Sequence, residues 1–145
     1  MSDIVRIFET VASEKGYEYH YGKKAALNLL GGSLDADKTY LLHEFTNRKS
    51  NYNSSGTAIT GITYEGKMFL VKQSNLDQQY FQERGEQDSS KYNVNIEPLL
   101  DEFKAIGNML ACSGYEVMQW DNIDVTDALD VNMDGILISY KVKVI

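Results

Sequence analysis

The stretch Gly135 to Ile145, "GILISYKVKVI", decides the fold. Ile136, Ile138, Tyr140, Val142 and Val144 alternate with Leu137, Ser139, Lys141 and Lys143, so the apolar and the more polar side chains fall on opposite sides of an extended chain. Alternation of this kind marks an antiparallel strand with one face buried. Just upstream, "YEVMQW" (115–120) and "NIDVTDAL" (122–129) read as further strands of the same sheet.

A half-buried sheet needs a cover, and the clearest helix in the chain supplies it. In "NIEPLLDEFKAIGNMLACSGYEV" (95–117), Leu99, Phe103, Ile106 and Leu110 share one face. Asn95 is placed to cap this helix, Pro98 suits its first turn and Gly114 ends it. A second amphipathic segment opens the chain. Ile4, Val5, Ile7, Phe8, Val11 and Ala12 follow helical spacing, with Ser2 or Asp3 as N-cap and Gly16 as the stop.

Between the helices the pattern is β-like. "YEYHY" (17–21) alternates, and "GKKAALNLLGG" (22–32) fits a helical turn closing at paired glycines; this region stays open. Lys38–Phe45 reads as a strand, and the polar "TNRKSNYNSSG" that follows gives a long exposed loop at about 46–57. "TAITGITYEGKMFLVKQS" (57–74) has two strand-like halves around Glu65-Gly66, which reads as a tight hairpin turn. From Ser74 to Tyr92 polar residues dominate and only Leu76, Tyr80 and Phe81 offer anchors. A second long exposed loop is expected there, mobile in an isolated subunit. Helix, strand, hairpin, helix, strands is not a strand-helix-strand alternation. It predicts a single α+β domain over 1–145, a two-layer sandwich with an antiparallel sheet and two main helices on one face.

With 145 residues, 43% of them apolar and 24% charged, the chain has the balance of a soluble globular domain that builds its core without staples. It has no run of residues apolar enough to span a membrane, and its N-terminus lacks the apolar stretch of a signal peptide, so a cytoplasmic site is expected. The lone Cys112 agrees with that site and is expected to be a buried helix thiol. The net charge of −7, with bases only in small clusters such as Lys23-Lys24 and Arg48-Lys49, argues against binding nucleic acid.

No motif announces chemistry. In "DVNMDG", Asp130, Asn132 and Asp134 match the first, third and fifth positions of a calcium loop and Gly135 the sixth, but Lys141 stands where a bidentate glutamate is required. The stretch therefore reads as a turn, with a weak cation site using Asp127, Asp130 and Asp134 as the alternative. His20 and His43 lack a metal-ligand spacing and are expected to be structural, while Asp101-Glu102 fits a solvated helix face. "GGS" (31–33) lacks the lysine of a phosphate loop, and no serine or cysteine shows the signature of an activated nucleophile. No enzyme activity, cofactor or metal is expected. Ten tyrosines are the more telling feature, because tyrosine is enriched where proteins meet. Tyr52, Tyr80 and Phe81, all in the expected loops, are the candidate interaction residues.

The N-terminal helix, the strand near "TYLLHEF", the hairpin, the polar loop, the helix "IEPLLDEFKAIGNMLA" and the closing "LDVNMDGILISYKVKV" together resemble the tail-terminator and tail-completion proteins of bacteriophages and prophages. The likeness is one of layout over most of the chain. It implies the same α+β sandwich, and a structural role in which a homo-oligomeric ring, a hexamer in that family, ends the tail tube and joins it to the head. The implied partners are other tail and head-completion proteins, and the implied location is the host bacterial cytoplasm during assembly and then the virion tail. Another tail tube or baseplate component, or a small binding module unrelated to phages, are the competing readings.

Overall fold

The computed structural model describes residues 3–22, 38–73, 95–128 and 133–144. Helix α1 (Ile4–Lys15) starts where Asp3 accepts a hydrogen bond from the Val5 amide and stops at Gly16, which takes the left-handed conformation at φ 78°. Strand β1 (Glu18–Tyr21) follows, then the long strands β2 (Thr39–Tyr52) and β3 (Ile59–Gln73). Helix α2 (Glu97–Cys112) leads into β4 (Tyr115–Ala128) and β5 (Met133–Val144).

The five strands form one sheet in the order β1-β2-β3-β5-β4. All neighbours are antiparallel except β1 and β2, so the sheet is mixed rather than purely antiparallel. The fold is the expected α+β sandwich. Ile4, Phe8, Val11 and Ala12 of α1 and Leu99, Ile106 and Leu110 of α2 share one core with Leu41, Met68, Leu70, Ile136, Ile138, Tyr140 and Val142 of the sheet. The alternation from Ile136 to Val144 thus points Ile136, Ile138, Tyr140, Val142 and Val144 at the helices, as expected. A second, smaller cluster of Tyr40, Leu42, Val71 and Met133 lies on the opposite face, so at that end the sheet is apolar on both sides.

Four expectations fail. The hairpin does not turn at Glu65-Gly66, because β3 runs straight through them. Gly66 is a packing glycine: a Cβ there would strike the Phe45 carbonyl and lie 2.6 Å from the Tyr140 hydroxyl. The real turn is Asn53–Ala58, where Asn53 Oδ1 accepts from the Thr57 amide at 2.9 Å and Gly56 takes φ 69°. The expected loop at 46–57 therefore shrinks, since its first half continues β2 as a strand wet on both faces. Asn95 does not cap α2; it is buried, and its Nδ2 donates to Asp134 at 2.7 Å. Cys112, expected inside, is exposed at the last turn of α2.

The region 23–37, with its "GGS" turn, and the region 74–94 lie outside the described residues. So do Tyr80, Phe81, Asp130, Asn132 and the side chain of Asp127. Among the described residues no helix is long and apolar enough to cross a membrane.

Candidate functional site

The histidines sort themselves by burial. His43, on the helix-facing side of β2, is fully buried and held by three hydroxyls: Tyr19 2.8 Å from Nδ1, and Tyr140 and Thr46 2.7 and 3.0 Å from Nε2. The rings of Phe8 and Tyr21 close on it edge to face, at 5.3 and 5.1 Å. Burial, reinforced by the charge of Arg48, pushes the His43 pKa down to about 4. Neutral imidazole donates through one ring nitrogen and accepts at the other, which suits hydroxyls on both of its sides, since each can donate or accept. This is a structural knot tying α1, β1, β2 and β5 together. Glu102 stays partly exposed on the helix surface, as expected, and there it joins α2 to the end of α1. It accepts from the Tyr17 hydroxyl at 2.6 Å and pairs with Lys15 at 3.0 Å, and these contacts hold its pKa below the usual carboxylate value. Asp134, from the acidic turn motif, is buried in β5 against Asn95.

The two edges of the sheet carry the exposed features. Among the described residues, β4 has no strand on its outer side. Pairing to β5 is regular from Gln119 to Val125, with irregularities on either side. Beside this edge, α2 and β4 enclose an apolar groove of about 460 Å³ lined by Phe103, Gly107, Ala111, Val117 and Trp120. Trp120 stacks on Phe103 at 5.2 Å and donates through Nε1 to the Phe103 carbonyl at 2.9 Å. Gly107 makes room for it, since a Cβ there would sit 2.8 Å from the indole nitrogen. Met118 and Ile123 on the same strand are 54% and 60% exposed.

At the other edge β1 covers only Tyr40 to His43 of β2. Beyond it, pairing of β2 to β3 is regular from Phe45 to Asn51, and among the described residues no strand lies on the outer side of this stretch. Arg48 makes a two-pronged bond to Asp3 at 2.8 Å, while Lys49 is exposed. Tyr52, the described member of the expected interaction residues, is 59% exposed at the end of β2, and Ile59, opposite it across the turn, is 55% exposed. Long strands with unsatisfied outer amides and carbonyls are templates for pairing with another chain.

Tyr52 stood out in the sequence from its type and surroundings, and the structure leaves it exposed. The edge positions of Lys49, Asp121, Met118 and Ile123 could not be read from the sequence, because strand order decides which strands are edges, and that order is a long-range property. Neither a scan of protein-family models nor a search of curated proteins finds a match for this chain.

Proposed function

We propose that this chain is a structural subunit of a bacteriophage or prophage tail, of the tail-terminator kind, whose copies assemble into a ring that ends the tail tube and joins it to the head. The observation that supports the reading is the pair of regular strand edges that, among the described residues, no strand covers, at opposite ends of one sheet, each with exposed apolar side chains nearby. A subunit built to add to its own kind needs such surfaces, and natural proteins otherwise cover or shorten them. The layout resemblance names the kind of assembly. The acidic balance of −7 suits a channel wall past which DNA slides without sticking. On this reading the role is mechanical, and the deeply buried His43 serves to hold the fold together. On this reading Tyr80 and Phe81 join Tyr52 as contacts to neighbouring subunits or to the tube end, and the protein works in the bacterial cytoplasm and then in the virion.

The test is genetic and visual. Deleting the gene from a phage that carries it should leave full heads and unjoined tails of irregular length by electron microscopy, restored by supplying the chain in trans. Normal virions from the deletion would defeat the reading. Purified tails carrying the chain along the tube or at the tip, rather than at the head-proximal end, would favour a tube or baseplate component.

A further inference from the structure

We infer that copies of this chain join head to tail by strand addition, the Gln119–Val125 edge of one copy pairing antiparallel with the Phe45–Asn51 edge of the next. The inference deepens the ring reading and rests on it for its biological setting.

Strand direction comes first. Since β2 is antiparallel to β3, β3 to β5 and β5 to β4, strands β2 and β4 run in opposite directions within the sheet. Two copies in the same orientation, set edge to edge, therefore present β4 and β2 antiparallel to each other. The contact uses different surfaces on the two copies, and repeating it generates a ring when the rotation closes.

Charge comes second. The Gln119–Val125 stretch carries Asp121 and Asp124 and no base, whereas Phe45–Asn51 carries Lys49 and no acid, its Arg48 being already paired with Asp3. Each edge would repel itself and attract the other, which selects the head-to-tail contact over a two-fold one.

Register comes third. The two regular stretches are equal in length, and laying them antiparallel end to end sets Gln119 against Asn51 and Val125 against Phe45. Trp120, Asn122 and Asp124 lie on the helix-facing side of β4, as Thr46, Arg48 and Ser50 do on β2, so this register keeps the helices of both copies on the same side of a continuous sheet. It also places Lys49 directly opposite Asp121, both exposed, and an aromatic ring against β-branched Val125. Tyr52, one step beyond, arrives at Met118 and the mouth of the groove between α2 and β4.

The full chain should self-associate in sedimentation and native mass spectrometry. Lys49→Glu or Asp121→Lys alone should weaken association by roughly tenfold, as expected when a cross-strand attraction becomes a repulsion. The combined Lys49→Glu, Asp121→Lys variant should recover it, which excludes misfolding as the cause. In a Cys112→Ser background, Lys49→Cys with Asp121→Cys should give a disulfide-linked ladder on oxidation, because directly opposed residues lie about 4.5–5.5 Å apart at Cα. Lys49→Cys with Glu116→Cys, out of register, should not. Assembly without the 49–121 ladder, or without recovery in the charge exchange, overturns the inference and leaves the ring reading standing. Ladder and recovery in open filaments uphold the inference and defeat the ring. A chain that stays monomeric up to about 1 mM overturns the inference, and the deletion phenotype then decides the functional reading by itself.

Discussion

At the scale of single residues, His43 ties stability to pH. Its folded pKa of about 4 lies below the ordinary 6.5, so the unfolded chain binds the proton more readily and the contribution is fully present above about pH 6.5. It is lost as pH falls from there through 4, up to roughly 3 kcal/mol in all. Denaturant midpoints measured between pH 7 and pH 4 should fall along this course. A His43→Gln variant should show a flatter dependence over the same range, although it starts less stable. An identical slope in the variant would remove His43 as the cause. Asp3 and Glu102 act lower on the scale. Their pKa values are depressed, chiefly by hydrogen bonds from Arg48 and Tyr17, so their contributions are present above the ordinary carboxylate pKa and disappear as pH falls below it. The acidic turn calls for a second residue-scale test. Asp134 already serves Asn95, and Lys141 stands in β5 opposite Glu65, so millimolar calcium should leave the melting temperature unchanged. A saturable rise that Asp130→Ala abolishes would mean a cation site.

At the scale of elements, Gly66 separates the two readings of β3. In a hairpin turn an alanine there would be mild. In mid-strand its methyl meets the Phe45 carbonyl and the Tyr140 hydroxyl, so Gly66→Ala should cost roughly 2–3 kcal/mol. A melting curve like the parent's would restore the turn. Helix α2 gives the second test. Phe103 is half-buried rather than fully enclosed, stacked on Trp120 with the planes 13° apart. Phe103→Ala should then cost roughly 2–3 kcal/mol, below the range for a fully buried ring, and shift Trp120 fluorescence to the red. An unchanged emission spectrum would mean that the stack is not populated. The same elements show what the sequence made legible. Helix boundaries and the face of β5 followed from local signals, namely Asp3, Gly16, Pro98 and the alternation from Ile136 to Val142. The extent of β2 did not, because Thr46 to Tyr52 is polar on both sides once the strand runs past the helices that cover the sheet. Glu65-Gly66 has the composition of a turn, and what overrides it is Tyr140, more than seventy positions away. The candidate edges were invisible for the same reason, since only the completed strand order exposes them.

At the scale of the whole molecule, charge placement matters more than net charge. The sheet face away from the helices carries Lys49, Lys67, Lys141 and Lys143, enough bases in principle to track a nucleic-acid backbone. The register does not let them act together. Lys141 stands opposite Glu65, Lys143 opposite Glu116, and Lys67 beside Ser139 with Asp121 on that serine's other flank. Each lysine therefore meets an acid or a neutral group across the strand, and among the described residues no continuous basic stripe forms on this face. Phosphate binding draws its affinity from counterions released along such a stripe and is strongest at low salt. Even at roughly 50 mM salt, duplex DNA mixed with micromolar protein should keep its free mobility and fluorescence anisotropy. Replacing both Glu65 and Glu116 by glutamine should then create the missing stripe and bring on weak, salt-sensitive binding. Tight binding by the parent chain at low salt would contradict this, and with it the proposal that these copies line a passage through which DNA slides.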